Sequence, residues 1–226
     1  MTVAALLLAA GAGERLGAGV PKALYPLGGR TILEHAYLSI TADPRITHVV
    51  VTAPAEEAEK VAATMAGRAV VISGGRTRQD SVRLALDMLA ADSVETVLVH
   101  DAARPFVPAG VIGRVIDALA AGADAAVPAL AVADTIKRVS ADGAVIGTLN
   151  RTELRAVQTP QGFRLSELVA AHEYAIKAGL HDVSDDSGLV ERHGGRVVLV
   201  EGADEAFKIT RPWDLRLAEA LLQGRQ

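Results

Sequence analysis

The sequence predicts an α/β protein built on a doubly wound, mainly parallel twisted sheet. Short unbroken apolar runs alternate with longer segments in which apolar residues recur at helical spacing, and this alternation is typical of such folds. Half of the 226 residues are apolar, and a chain of this length buries roughly 70% of the surface that its unfolded form exposes. The chain contains no cysteine, so its core is expected to form without disulfides.

Each predicted strand is a short apolar run, which indicates burial on both faces. These runs are Val3–Leu8, His48–Thr52, Ala69–Ile72, Thr96–Val99, Ala125–Pro128 and Val197–Val200. Each predicted helix carries apolar residues on one face. These segments are Thr31–Thr41, Ala55–Ala66, Gln79–Ala91, Pro108–Ala121, Leu165–Ala178 and Trp213–Leu222. Ligands of doubly wound sheets bind beyond the carboxyl ends of the strands, so a site is expected in the loops that follow them.

The segment Asp134–Leu154 departs from this alternation. Apolar and polar residues alternate around the turn-forming sequence Ala141-Asp142-Gly143, which predicts a β-hairpin. The hairpin has too few apolar residues for a core element, so it either reaches a second subunit or lies solvated on the surface. Residues 1–226 contain no convincing linker and are expected to form a single domain from which this β-arm, at about 134–154, protrudes.

Charge and hydropathy exclude several classes of function. The net charge of −4 provides no overall basic field for nucleic acid,. No apolar run is long enough to cross a bilayer, and no basic residues precede the run Val3–Ala10, so it does not resemble a signal peptide,. The histidines form no HxH or HxxxH pair, which argues against a histidine-rich metal site,. We therefore expect a soluble, cytoplasmic protein with small-molecule partners.

A glycine-rich loop follows the first predicted strand directly. Gly11, Gly13 and Gly17 do not match a dinucleotide fingerprint, whose third glycine would stand at position 16, and no Walker A sequence occurs,. The acidic residue of that fingerprint is also missing after the second strand, where Thr52 stands. Small residues over Ala9–Gly13 still allow backbone N–H groups to approach an anion. A tight turn that needs glycine only for its geometry is the alternative.

Two cations change the balance between these alternatives. Arg15 lies in the loop and Lys22 follows Pro21, whose ring restricts the backbone before it,. Arginine offers a planar fork and lysine a compact point charge, so together they could neutralise a phosphorus centre under attack. The whole stretch, LAAGAGERLGAGVPK, resembles the signature of nucleotidyltransferases that move a nucleoside monophosphate from a triphosphate to a phosphate or sugar phosphate.

A second signature is VLVHDAARPFV, residues 97–107. Asp101 follows the strand end, where a carboxylate could hold Mg²⁺ between phosphates or merely cap the following turn. The run HDAARP closely resembles the 2-C-methyl-D-erythritol 4-phosphate cytidylyltransferases, the IspD family of the non-mevalonate isoprenoid pathway. Segments similar to that family follow in the same order over essentially the whole chain. They are SGGRTRQDSV, ADTIKR, LNRTELRAVQTPQGF, SDDSGLVE and FKITRPWDLRLAEALL. Ala23-Leu24 and Arg76 depart from the family pattern.

This resemblance implies a Rossmann-like fold of the nucleotide-diphospho-sugar transferase kind, transfer of CMP from CTP to methylerythritol phosphate, and a homodimer formed through the β-arm. It implies that Arg15 and Lys22 stabilise the transition state and that Asp101 holds Mg²⁺ or another divalent cation. The implied nucleotide contacts are Ala9, Ala10, Gly11, Ala12, Gly13, Lys22, Gly75, Ser81 and Ala102. The implied acceptor contacts are Arg104, Thr135, Arg151, Thr159 and Lys208.

Rival functions remain open at this point. A ribitol 5-phosphate cytidylyltransferase has overlapping signatures in the loop and in the Asp-Ala-Arg-Pro run. A purine-using transferase is disfavoured because GGRTRQDSV resembles the cytidine segment, and a nicotinamide-dependent oxidoreductase because the glycine spacing fails. A non-catalytic nucleotide-binding module would be expected to lose Lys22, Asp101 or Lys208, and all three are present.

Overall fold

The computed structural model describes residues 2–11, 20–89, 93–180 and 183–224. The predicted contacts Ala12 and Gly13 and the predicted catalytic Arg15 lie outside these residues. Helices within the described part are α1 (Ile32–Ile40), α2 (Ala58–Met65), α3 (Arg78–Asp87), α4 (Ala109–Ala120), α5 (Leu165–Lys177), α6 (Ser187–His193) and α7 (Pro212–Gln223).

The strands include every apolar run that was predicted to form one. Within the described part they are β1 (Val3–Leu8), β2 (Pro26–Leu27), β3 (Arg30–Thr31), β4 (Ile46–Ala53), β5 (Val70–Ser73), β6 (Thr96–Asp101), β7 (Ala125–Ala131), β8 (Lys137–Val139), β9 (Val145–Thr148), β10 (Arg155–Val157), β11 (Gln161–Arg164) and β12 (Val197–Glu201). The main sheet has the order β5-β4-β1-β6-β11-β7-β12, and β10 also pairs with β7. Strands β1, β4, β5 and β6 run parallel, whereas β11 is antiparallel to both of its neighbours.

The main sheet is covered by helices on both faces. Leu33 of α1, Met65 of α2 and Ile112 of α4 are wholly buried in the cluster on one face. Val82 of α3 and Leu168 of α5 are wholly buried in the cluster on the other face. Burial of apolar area at about 25 cal/mol per Å² is the main term that stabilises such layers. This arrangement confirms the doubly wound, mainly parallel fold.

Strand β11 was missed because its sequence, QGFR, contains a single large apolar residue. Gly162 lets helix α4 approach the sheet closely, since a Cβ there would lie 2.4 Å from Val115 Cγ1. A side chain at this position would therefore collide with the helix that covers the strand. The position of this strand is set by tertiary packing, and the sequence of the strand by itself does not indicate it.

Capping interactions explain where two of the helices begin. Thr31 Oγ1 accepts the N–H of Glu34 at 3.1 Å, and Glu34 accepts the N–H of Thr31 at 2.8 Å, so a capping box opens α1,. Thr77 and Asp80 form the corresponding box at α3. Helix α3 ends at Asp87, earlier than the predicted Ala91, and the N–H of Leu89 turns back to the carbonyl of Leu86.

The predicted hairpin is confirmed at the centre of the β-arm. Strands β8 and β9 pair antiparallel, and Gly143 between them has a φ of 86°, a left-handed conformation that favours glycine. Val139, Val145 and Ile146 are 55%, 62% and 61% exposed. Every helix of the described part is too short or too polar to span a bilayer.

Candidate active site

A pocket of about 390 Å³ opens at the carboxyl ends of β1, β4 and β6, the edge at which doubly wound sheets bind ligands. Its lining residues are Leu8, Ala9, Ala10, Gly11, Lys22, Ala23, Ile32, Thr52, Gly75, Arg76, Thr77, Arg78, Ser81, Asp101, Ala102, Ala103 and Lys208. The pocket thus brings together most of the predicted nucleotide contacts, the predicted metal ligand, Lys22 and Lys208. These residues come from segments that are far apart in the sequence.

The loop after β1 presents its backbone to the pocket. The N–H of Ala9 donates to the carbonyl of Thr52 at 2.9 Å and extends the sheet by one residue. The N–H groups of Ala10 and Gly11 have no protein acceptor in residues 2–11, 20–89, 93–180 and 183–224. They are therefore available to an anionic ligand. The N–H of Ala102 donates to the carbonyl of Leu8 at 3.1 Å, so of its backbone groups the carbonyl is the one left for a ligand.

The opposite wall is a loop fastened to the start of α3. Ser81 Oγ accepts the N–H of Gly75 at 3.1 Å and donates to the carbonyl of Thr77 at 2.9 Å. A Cβ at Gly75 would lie 2.2 Å from the Cβ of Asp80, and a Cβ at Gly74 would lie 2.5 Å from that of Ala10. Both glycines are thus required by close packing around the pocket.

Asp101, at the end of β6, is the acidic residue of the described pocket lining, and we call its surroundings the pocket floor. Its Oδ2 lies 2.7 Å from Lys208 Nζ, and its Oδ1 lies 3.5 Å from Arg78 Nε. Burial by itself would raise the pKa of Asp101, but the charges of Arg78 and Lys208 outweigh it and hold that pKa well below its ordinary value,. The carboxylate is therefore ionised at neutral pH.

A hydrogen-bond chain beneath the pocket fixes the backbone of Asp101. Its N–H donates to Thr159 Oγ1 at 3.1 Å, and Thr159 Oγ1 lies 2.8 Å from His100 Nδ1. His100 Nε2 lies 3.0 Å from the carbonyl of Arg104. A carbonyl can only accept, so Nε2 carries the proton and Thr159 donates its hydroxyl hydrogen to Nδ1. Burial lowers the pKa of His100 to about 4, which keeps the ring neutral.

Two of the predicted acceptor contacts lie just behind the pocket wall. Thr159 is only 5% exposed, and its hydroxyl is already engaged with His100 and Asp101. Arg104 Nη1 donates to the carbonyl of Ala206 at 2.7 Å, and burial lowers the pKa of Arg104. Neither residue lines the pocket; both support segments that do.

Lys22, which does line the pocket, donates from Nζ to the carbonyl of Ile209 at 3.2 Å.

The other two predicted acceptor contacts lie in the β-arm, away from the pocket. Thr135 and Arg151 are exposed, and neither belongs to the pocket lining. Arg151 Nη1 donates to the carbonyl of Ala133, the residue that directly precedes the arm. The described residues of one chain therefore do not bring these two side chains to Asp101.

Arg78 is a pocket residue that sequence reasoning missed. It pairs with Asp101 and also with Asp186, whose Oδ2 lies 2.5 Å from Arg78 Nη1. The available signal was weak, since two arginines occur in the segment GGRTRQDSV and nothing local distinguishes Arg78 from the exposed Arg76. Both arginines line the pocket.

Backbone N–H groups, two lysines and an ionised aspartate meet at the carboxyl edge of this sheet, and these are the groups that a nucleotidyltransferase needs to hold and neutralise phosphates. The model of the IspD family, 2-C-methyl-D-erythritol 4-phosphate cytidylyltransferase, matches residues 3–224. The chain belongs to this family.

Individual relatives agree with the family match. A protein of this name from Frankia casuarinae is 50% identical over 97% of this chain and 81% of its own length. One from Streptomyces coelicolor is 48% identical over 99% of this chain and 86% of its own length. The solved structure of the Thermus thermophilus protein is 41% identical, has a TM-score of 0.79 and covers 99% of this chain and 100% of that chain. The Francisella tularensis structure has a TM-score of 0.85 at 28% identity and covers 97% and 99% of the two chains.

Proposed function

We propose that the pocket transfers CMP from CTP to 2-C-methyl-D-erythritol 4-phosphate, in the non-mevalonate pathway to isoprenoids. The products are pyrophosphate and 4-diphosphocytidyl-2-C-methyl-D-erythritol. The observation that carries the proposal is the convergence of Lys22, Lys208 and Asp101 beside the N–H groups of Ala10 and Gly11, which have no acceptor in the part of the chain that the structure describes. Membership of the IspD family supports the same substrates and disfavours ribitol 5-phosphate as the acceptor.

The chemistry needs placement and charge neutralisation more than proton transfer. A phosphate oxygen of the acceptor attacks the α-phosphorus of CTP in line, forming one P–O bond while the bond to the bridging oxygen breaks and pyrophosphate leaves. A phosphate monoester is already an anionic nucleophile, so no strong general base is required. This fits the state of His100, which lies outside the pocket lining and is buried, neutral and occupied by structural hydrogen bonds.

The nucleotide is assigned to the loop after β1 and to the wall at α3. We assign the triphosphate to the backbone N–H groups of Ala10 and Gly11, continued by Ala12 and Gly13, beside Ala9, whose own N–H is held by Thr52. We assign the cytidine to Gly75, Ser81 and Ala102. We assign the stabilisation of the charge that develops in the transition state to Lys22 together with Arg15. Lys22 is pocket-lining and partly buried, and in such a place a cation acts more strongly than in water.

The pocket fits a divalent cation that is shared with the substrate. Mg²⁺ is commonly bound by one or two carboxylates together with substrate phosphates, and Asp101 is the carboxylate that lines the described pocket. Its depressed pKa keeps it in the ligating form. Asp101 would hold Mg²⁺ with the phosphate oxygens of CTP, and the ion would neutralise charge that builds up on the leaving pyrophosphate.

The acceptor is assigned to Lys208 in the pocket, with Arg104 and Thr159 supporting its walls, and to Thr135 and Arg151 in the β-arm. We propose that these arm residues serve the site of a second copy, in a homodimer formed through the arm. The exposed apolar side chains of Val145 and Ile146 support this, because clustered exposed apolar residues mark interaction surfaces.

We also propose that the enzyme is cytoplasmic, which the absence of cysteine fits,.

A substrate panel tests the proposal. Purified protein with Mg²⁺ is given each of CTP, UTP, ATP and GTP, combined with methylerythritol 4-phosphate or ribitol 5-phosphate, and pyrophosphate release is followed. Release is expected with CTP and methylerythritol phosphate. Release only with ribitol phosphate would overturn the acceptor assignment, and release with no pair would overturn the activity.

A further inference from the structure

A line of hydrogen bonds and ion pairs runs from His172 of helix α5 to Asp101 in the pocket. His172 Nε2 lies 3.2 Å from Asp186 Oδ1, and Asp186 Oδ2 lies 2.5 Å from Arg78 Nη1. Arg78 Nε lies 3.5 Å from Asp101 Oδ1. His172 is 3% exposed and Asp186 is 1% exposed, and neither lines the pocket. Their contact with the proposed chemistry is through Arg78.

Asp186 is a fixed anion within this line. Burial alone would raise its pKa, but Arg78 and His172 outweigh burial and the pKa lies below its ordinary value. An ionised carboxylate only accepts hydrogen bonds, so His172 donates its Nε2–H to Asp186. A buried charge left without such partners is strongly destabilising, which explains why both oxygens of Asp186 are occupied.

The turn that carries Asp186 is itself held to the sheet. Gln161 of β11 donates to Asp185 Oδ2 at 2.7 Å and accepts the N–H of Ser187 at 3.2 Å. Ser187 Oγ also donates to Asp185 Oδ2, at 2.6 Å. The anion that Arg78 faces is therefore anchored from β11 by its neighbours and from α5 by His172.

Arg78 needs this second anchor. Its contact with Asp101 is at 3.5 Å and its side chain is 28% exposed, so that pair alone would hold a long flexible side chain poorly. The short contact with Asp186 fixes one end of the guanidinium and leaves Nε directed at Asp101. The orientation of Asp101, between Arg78 and Lys208, then depends on where Asp186 is held.

We propose that His172 is a positioning residue for nucleotidyl transfer, acting through Asp186 and Arg78 on Asp101. The inference rests on the role proposed above for Asp101. His172 touches no substrate; it holds Asp186 in the place that aligns Arg78. Groups bonded directly to a ligating carboxylate, as Arg78 is to Asp101, typically change activity by about 10- to 100-fold when removed. His172 lies two contacts further along the line, so its effect is expected at the low end of that range.

Two substitutions separate the hydrogen bond from the volume of the ring. His172→Leu fills the space without a donor and is expected to lower kcat by about tenfold. His172→Gln places an amide N–H near the position of Nε2 and is expected to keep kcat within roughly threefold of the wild type. If the leucine variant does not fold, His172→Asn replaces it, because its shorter amide does not reach Asp186. Unchanged kcat in the donor-free variant would overturn the proposal.

A control and a double variant exclude a merely structural role. Leu168→Ala opens a cavity one turn earlier on α5, where Leu168 is wholly buried, and is expected to lower the melting temperature while kcat changes by less than about twofold. Arg78→Met removes the link between Asp186 and Asp101. Adding His172→Leu to it is therefore expected to lower kcat by less than a further twofold. Equal kcat losses in the Leu168 and His172 variants, or a full extra loss in the double variant, would overturn the proposal.

The wild-type assay separates the two claims. An inactive wild type would overturn the proposed function, and this inference with it. An active wild type whose His172→Leu variant is equally active would overturn the inference alone.

Discussion

The pocket floor and the β-arm differ in how completely one chain builds them. At the floor, Asp101 is 9% exposed and its carboxylate and its N–H are both engaged. In the arm, Arg151 is exposed and its side chain donates to the carbonyl of Ala133 at the base of the arm, while Ile146 is 61% exposed. The floor is preorganised by the fold of a single chain. The arm has polar and apolar groups that the described chain does not use, which is the state expected of a surface completed by a second copy.

The largest effect is expected at the pocket. Lys22→Ala should lower kcat by about 10²–10³, the usual cost of removing one preorganised group that stabilises transition-state charge. Single-turnover measurements with saturating CTP would separate this chemical loss from weaker binding. Lys60→Ala, on the exposed face of α2, is the matched control and should leave kcat unchanged. A fully active Lys22 variant would remove this residue from the mechanism.

The next effect tests whether the arm works between chains. Val145→Asp combined with Ile146→Asp puts charge on the apolar arm surface and should convert a dimer into monomers, because a buried unpaired charge is unfavourable. Without the partner's arm, kcat/KM for the acceptor should fall by roughly 10- to 100-fold, since charge-assisted contacts contribute about 1.5–3 kcal/mol each. Light scattering and CTP calorimetry would follow mass and nucleotide binding.

Leu217→Asp is the control for this pair, since Leu217 is an apolar residue on α7 with 47% exposure. It should leave both the mass and the acceptor kinetics unchanged. Monomers with full activity would show that the arm is not needed at the site.

A smaller effect distinguishes the two substrates. Arg151→Ala should raise KM for methylerythritol phosphate by roughly tenfold, the cost of one charge-assisted hydrogen bond, and change KM for CTP by less than about twofold. Arg138→Ala, another exposed arginine of the same arm, should alter neither constant. Equal rises in both constants for the Arg151 variant would contradict its assignment to the acceptor.

The smallest effect is the pH dependence of stability at the floor. The pKa of His100 is lowered to about 4 in the folded protein, so its contribution to the free energy of unfolding is complete above the unfolded pKa of about 6.5 and is lost as the pH falls towards 4. Between pH 6.5 and 5.5 the loss should be about 1 kcal/mol. Urea unfolding of wild type and His100→Asn over this range measures it, and parallel pH profiles would contradict the assignment.

Much of the fold was predictable because its signals are local. The run Val3–Leu8 is β1, and the hairpin turn at Ala141-Asp142-Gly143 connects β8 and β9. Strand β11 was not predictable, since Gln161–Arg164 has one large apolar residue and is placed by its packing between β6 and β7. The early end of α3 was missed as well, because apolar periodicity continues beyond Asp87.

The residues of the site likewise divide into those that local motifs predicted and those that depend on distant partners. Lys22, Asp101 and Lys208 were predicted from motifs, and the structure brings all three into one pocket. Arg78 was missed because its significance lies in partners 23 and 108 residues away in the sequence. Thr159 was predicted as an acceptor contact, a role that stays a prediction, and its hydroxyl supports the N–H of Asp101.

The sequence by itself determined the alternation of strands and helices, the glycine-rich loop after β1 and the family of the protein. Apolar periodicity and turn chemistry act over a few residues, so they can be read along the chain. The tertiary structure alone decided that His172, Asp186 and Arg78 meet beneath Asp101, and that the β-arm stays away from its own pocket. Buried charges must find partners wherever the packed chain places them, and that placement depends on every layer of the fold at once.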